Sequence, residues 1–216
     1  MSTTQQSSLP ETDGRRARGN RTREKLLEAA IELFGSRGFE STSMKDLAAA
    51  AGVRAPAIYN HFSSKEDVLV AASTWALHDF HSQVVSTDEP SLPTRVRLEG
   101  LVRRHVNYQL DNLKLAKSHD LLMDADSMQH LMPPEVHAQA RTTMRKHLDL
   151  MTELISEVVP AEANPPARLS ALAVLSMIDR VLTWYRPDGQ YHKSEIAGYY
   201  WILVQRMLGA NETGRT

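Results

Sequence analysis

Arg54, Tyr59, Asn60, His61 and Lys65 place a guanidinium, a phenol, an amide, an imidazole and an ammonium group in one short stretch of chain. Such donors suit phosphate oxygens and base edges. The elements that must position them read as a helix, a tight turn and a second short helix. Ser43 can N-cap the first helix, with Asp46 three residues on to answer it. Met44, Leu47 and Ala48 supply its buried side. Gly52 stands where that helix must stop, because glycine takes a left-handed conformation at no steric cost. Val53 packs the turn, and Pro56 suits the first turn of a new helix. Ile58 and Phe62, four apart, face the core and leave Arg54, Tyr59, Asn60 and His61 outward. This is the plan of a helix-turn-helix, whose second helix lies in the DNA major groove. An ordinary helical hairpin shares the helix, glycine, helix order but lacks the outward set.

Residues 51–69, Ala-Gly-Val-Arg-Ala-Pro-Ala-Ile-Tyr-Asn-His-Phe-Ser-Ser-Lys-Glu-Asp-Val-Leu, resemble the signature of the TetR family of bacterial transcriptional regulators. The run from Leu27 to Ser43 continues the likeness, which covers residues 21 to about 70. The resemblance implies a dimeric, ligand-responsive repressor on a palindromic double-stranded DNA operator. It implies that Arg54 and Asn60 read bases and that Ala55, Pro56 and Ala57 lie near thymine methyls. Thr42, Ser43, Tyr59, His61 and Lys65 would hold phosphates, and Lys45 could do either. The alternative is an all-α enzyme or adaptor that binds a hydrophobic molecule without touching DNA. No G-x-S-x-G, Gly-rich phosphate loop or H-E-x-x-H occurs, so an enzyme is not expected.

The chain has 216 residues, 42% hydrophobic and 24% charged, as in an ordinary soluble protein long enough to bury a core. Its net charge is −1, so any affinity for nucleic acid must come from a local patch. With no Cys, disulfides, thiolate catalysis and Cys-based zinc sites are excluded. No apolar run is long enough to span a membrane and no signal peptide is visible, so a cytoplasmic location with no membrane partner is the default. His78 and His81 are three apart on one helix face, but spacing places no third ligand, and neither a metal nor a cofactor is expected.

The fold class predicted is all-α, with an N-terminal three-helix head and a C-terminal helical bundle for ligand binding and dimerisation. Residues 1–17 read as a disordered arm, 18–70 as the DNA-binding domain and 71–216 as the ligand-binding and dimerisation domain. Arg15, Arg16, Arg18, Arg21 and Arg23 crowd the entrance to the first helix, either as a solvated charge run or as an arm along DNA. That helix is predicted from about Arg21 to Ser36, with Gly38 past its end. Ser64 with Asp67 caps a fourth helix that runs to about Thr87 and links the two domains. Further helices are predicted at about 93–117, 118–131, 134–159, 167–186 and 194–209, with no strand pattern.

Within the bundle, Met123, Met128, Met144, Met151 and Met177 fall on helices expected to surround one interior, either as core filler or as an adaptable binding surface. Arg180 lies in an apolar segment and wants a partner or an anionic ligand. Trp184, Tyr185 and Arg186, before Pro187, read as a helix end. They also resemble a feature of the TetR branch that responds to acyl-CoA thioesters. That likeness implies an acyl-CoA as the small hydrophobic effector, with Arg180 and Arg186 meeting its phosphates. Leu175, Ile178 and Leu182 form one stripe, and Ile196, Tyr199, Tyr200, Leu203 and Met207 a second, wide band. In the family these last helices make a two-fold homodimer.

Overall fold

Capping, glycine stops and apolar spacing produce helices throughout. The computed structural model describes residues 11–124, 132–159 and 165–209. Helix α1 (Glu11–Arg37) is followed by α2 (Met44–Ala50), α3 (Ala55–Ile58) and α4 (Lys65–Phe80). A π-helical turn, His81–Val85, extends α4. Then come α5 (Thr94–Asp111), α6 (Leu113–Asp124), α7 (Pro134–Val158), α8 (Ala167–Asp179), α9 (Val181–Trp184) and α10 (Lys193–Met207). No strand occurs among the described residues, so the all-α class holds.

Several boundaries differ from the sequence reading. Helix α1 begins at Glu11, so residues 11–17, assigned to a disordered arm, are helical, while 1–10 lie outside the described residues. The helix expected over 93–117 breaks at Asn112, whose φ of −110° and ψ of 30° leave the helical region. Its side-chain amide donates to the Tyr108 carbonyl at 3.1 Å, closing the end of α5. Leu113 therefore starts α6, and the end of the helix expected over 118–131 lies outside the described residues. The helix expected over 167–186 ends at Asp179, and Arg180 bridges to the short α9.

Two apolar clusters hold the molecule. The head cluster collects Leu26, Leu27, Ile31 and Phe34 of α1, Leu47 of α2, Ile58 of α3 and Val68, Leu69 and Ala72 of α4. It also takes Met132 and Val136, from the far side of the sequence. The second cluster is built from α5, α7, α8 and α10, with Phe80 at the end of α4 packed against it. Helix α4 thus serves both clusters.

The head is tied to the body a second time, through α6. Helices α1 and α6 pack so closely that a Cβ on Gly35 would lie 2.6 Å from Cα and Cβ of Ser118. Glycine is required there because any side chain would collide with the facing helix. An ion pair between Glu32 and Lys114 spans the same interface.

Candidate nucleic-acid interface and internal cavity

The head is stapled by local hydrogen bonds. The Asp46 amide donates to Ser43 Oγ at 3.2 Å, and the Ser43 amide donates to Asp46 Oδ2 at 2.9 Å. The Ser43 hydroxyl, which donates to Asp46 Oδ2, and then the Ser43 amide hold the Asp46 carboxyl below its ordinary pKa. Ser64 repeats the device at the start of α4, accepting from the Asp67 amide at 3.0 Å. Gly38 and Gly52 end α1 and the α2 turn with φ of +87° and +69°. Helix α3 is one turn long and continues as a tighter turn, with the His61 amide on the Ile58 carbonyl at 2.9 Å.

This frame buries Ile58 and Phe62 and leaves Arg54, Ala55, Pro56, Tyr59, Asn60 and His61 exposed on one short element. Ala57 is half-buried, and Ser43 and Lys45 are exposed at the start of α2. Two residues assigned to phosphate are otherwise engaged. Thr42 is buried, and its hydroxyl donates to the Gly38 carbonyl at 2.9 Å. The Lys65 ammonium donates to the Phe39 carbonyl at 2.7 Å and sits 4.2 Å from the centre of the Phe39 ring. The Thr42 amide donates to the same Phe39 carbonyl at 3.2 Å, so Thr42 is fully engaged, whereas the Lys65 ammonium keeps two further hydrogens for an anion.

The body contains a cavity of about 190 Å³. Ala76, Leu77 and Phe80 of α4 line it, with His105, Tyr108 and Gln109 of α5 and Leu115 and Ala116 of α6. Met144 and His147 of α7, Leu175 and Asp179 of α8 and Leu182 of α9 complete it. The wall is mostly apolar, with one polar cluster. His105 Nε2 lies 3.1 Å from Asp179 Oδ1, and the Gln109 side-chain amide donates to that oxygen at 3.2 Å and lies 3.3 Å from His105 Nε2. Tyr108 donates to Asp79 Oδ2 at 3.0 Å. Burial, then Asp79, raises the Tyr108 pKa. The His147 ring packs on His105 and Phe80. Burial first and His105 next push its pKa down to about 3, so it is neutral at physiological pH.

The cavity lining departs from the expected ligand set. Of the methionines, Met144 lines the cavity and is exposed at its edge, while Met151 is fully buried core and Met177 packs partly buried against that core. The side chains of Met123 and Met128 lie outside the described residues. Arg180 is exposed at a helix break rather than held among apolar neighbours. Arg186 donates to the Tyr185 carbonyl at 2.9 Å. Tyr185 is core, and Trp184 is 43% exposed, stacked on Tyr200 at 6.5 Å and 11°. None of these last four residues lines the cavity.

Leu175 and Leu182, expected in a dimer face, line the cavity instead, and Ile178, Ile196 and Tyr200 are buried within the chain. Helical spacing alone cannot tell a stripe that faces a neighbouring helix from one that faces a partner. Tyr199, Leu203 and Met207 are exposed, joined by Ile202 on α10 and by Leu169 and Leu172 on α8. No group of three metal-ligating side chains occurs among the described residues.

The sequence reading missed His105, His147, Gln109 and Asp179 as a group. The only signal available was a run of polar residues on the apolar sides of three separate helices.

The family described as "Bacterial regulatory proteins, tetR family" matches residues 26–72, and that described as "Tetracyclin repressor-like, C-terminal domain" matches residues 91–208. The chain is 29% identical over 195 residues to the HTH-type transcriptional repressor KstR2 of Rhodococcus jostii, spanning 86% of this chain and 89% of that one. It is 27% identical over 180 residues to the HTH-type transcriptional activator FasR of Mycolicibacterium smegmatis, spanning 81% and 80%. Among solved structures, AibR in complex with isovaleryl coenzyme A and operator DNA superposes with a TM-score of 0.67 at 22% identity, over 87% of this chain and 98% of that one.

Proposed function

The chain belongs to the TetR family of bacterial regulatory proteins, and from that premise we propose that it is a dimeric repressor released from a palindromic operator by a small acyl effector. Its family is one of transcriptional regulators, not enzymes.

The head would dock α3 in the major groove, with Arg54 and Asn60 at base edges. Tyr59, His61, Ser43 and Lys45 would lie on the flanking phosphates. The exposure of these side chains together, on an element pinned by two capping serines and two left-handed glycines, supports the assignment. The dimer would form through the exposed apolar residues of α8 and α10, chiefly Tyr199, Leu203 and Met207. Two heads on a two-fold axis would require half-sites about one DNA turn or a multiple apart.

One observation carries the effector reading: the cavity is walled by α4 and α6, and both helices also pack on α1 of the head. An occupant that spreads α4 and α6 would move the heads apart or together, and its differential affinity for that state would set the operator affinity. At about 190 Å³ the space is close to the ~150 Å³ cavity known to take up benzene, and so suits a short or branched acyl group. The isovaleryl coenzyme A held by AibR is of that class. Arg141, exposed three residues before Met144 on the same face of α7, is better placed than Arg180 or Arg186 to meet a coenzyme A phosphate at the cavity edge.

The test is a gel shift with DNA from upstream of the protein's own gene, with and without isovaleryl coenzyme A, the free acid and coenzyme A alone. Release by the thioester at concentrations where the acid and coenzyme A do nothing is the expected result. No shift on any upstream fragment at low salt would refute the repressor. A shift indifferent to all three compounds would refute the effector class alone.

A further inference from the structure

A second cavity, of about 550 Å³, adjoins the first. Among the described residues Leu115 of α6 alone lines both. Elsewhere the wall between them is one layer of side chains. Tyr108 faces the first cavity and donates at 3.0 Å to Oδ2 of Asp79, which faces the second. The Gln83 amide holds the two oxygens of the same carboxylate at 2.8 and 2.9 Å. That part of the wall is fixed by hydrogen bonds. Leu115 is half-buried and its side chain has no polar atom to anchor it, so it turns between rotamers at little cost. It is the part of the wall that yields.

The two cavities differ in charge. Glu28, Glu32, Asp79 and Asp111 line the second, against the ammonium of Lys114. Glu32 pairs with Lys114 and Asp111 with Lys193, which leaves the sum negative. An anionic head group is turned away from such a space. Of the first lining only Met144 and Asp179 are exposed, so its mouth lies between α7 and α8. Arg141 and Arg180 are exposed within three residues of them, and an anionic head stays there. The apolar end of an occupant is then the part that meets Leu115. Volume sets how long that end can be. A cavity of ~150 Å³ takes up the six carbons of benzene, so one of about 190 Å³ is full at about seven.

We infer that Leu115 gauges the length of the effector: an apolar body of up to about seven carbons fits in front of it, and a longer one enters only by driving its side chain into the second cavity. Crowding a packed wall is unfavourable, so the native chain selects the short body. This deepens the reading of the cavity as the effector site and rests on it.

The probes are straight-chain 1-alkanols from 1-butanol to 1-dodecanol, measured by calorimetry on the purified full chain. Each methylene that finds room should tighten binding about fourfold. In the wild type the gain should stop near 1-heptanol. In Leu115→Ala it should continue for more than about three further methylenes, which is all the room the deleted carbons vacate. Leu182→Ala deletes the same atoms from a wall that does not face the second cavity, and its gain should stop after about three. A cut-off shared by wild type and L115A, a cut-off shared by the two alanine variants, binding of no alkanol, or a wild-type gain unbroken to 1-dodecanol would overturn the inference. If L115A does not fold, Leu115→Phe decides. The bulkier side chain should lower the cut-off by at least about one methylene, and an unmoved cut-off overturns the inference. A gel shift on the same preparations keeps the two readings apart. Protein that binds its upstream DNA but whose cut-off ignores Leu115 loses only the gauge. Protein that binds no DNA loses the repressor reading, whatever the alkanols do.

Discussion

Acidification should destabilise this protein through His147. The ring is buried among His105, Phe80 and the cavity wall, and its pKa is held at about 3, against 6.5 for a free imidazole. Burial is the main cause, His105 and His81 add to it, and Asp179 opposes it. The sign follows from which state binds the proton first. Below 6.5 the unfolded chain takes up a proton that the folded chain refuses until about pH 3. Stability from this site is therefore complete above about pH 6.5 and lost as pH falls, at about 1.4 kcal/mol per pH unit. At about pH 5 the loss is about 2 kcal/mol, a large share of the margin of a folded domain. The assay is denaturant unfolding of wild type and His147→Gln at one fixed protein concentration, at about pH 7.5 and about pH 5. The variant loses packing and starts less stable, but it has no proton to refuse. The gap between the two proteins should narrow by about 2 kcal/mol on acidification. A gap that does not change with pH would refute the argument, and would mean that His147 finds a partner or water on protonation.

Three further outcomes are expected. Gly35→Ala should cost about 1–3 kcal/mol, because its Cβ would overlap the Ser118 backbone; an unchanged melting temperature would mean that α1 and α6 have slack. Tyr199→Asp or Leu203→Asp should give monomers by light scattering, since each is an exposed apolar residue of the proposed dimer face; a variant that still forms dimers would move the interface elsewhere. Lys65→Met should lower stability, because its ammonium ties the Phe39 carbonyl and ring; a salt dependence of DNA binding shallower by about one would show that the ammonium also meets a phosphate, and an unchanged melting temperature would refute the tie.

The head was legible in the sequence because its devices are local. Ser43 and Asp46, Ser64 and Asp67, Gly38 and Gly52 each act within a few residues, and each is found where the spacing puts it. The end of α5 was not legible. Asn112 closes it with its own amide, and no proline or glycine marks the place. The cavity was less legible still. Its polar cluster joins α5, α7 and α8, and Gln109 and Asp179 are 70 residues apart in the chain. Read singly, each of these residues was a polar interruption of an apolar stripe. Arg180 misled for the related reason that it was read as part of a continuous helix, whereas the helix breaks there and sets it in solvent.

Where α1 crosses α6, Gly35 faces the backbone and Cβ of Ser118, with no room for a side chain on α1. Such a contact behaves as a fulcrum. Leu115 and Ala116, which wall the cavity, lie less than one turn before Ser118 on one arm of this lever. On the other arm, α1 ends at Arg37, and the short loop through Phe39 leads straight into α2. Close-packed interiors pass on strain that a softer joint would absorb. If an occupant of the cavity pushes Leu115 outward, as proposed, the crossing at Gly35 is where that push would reach the head.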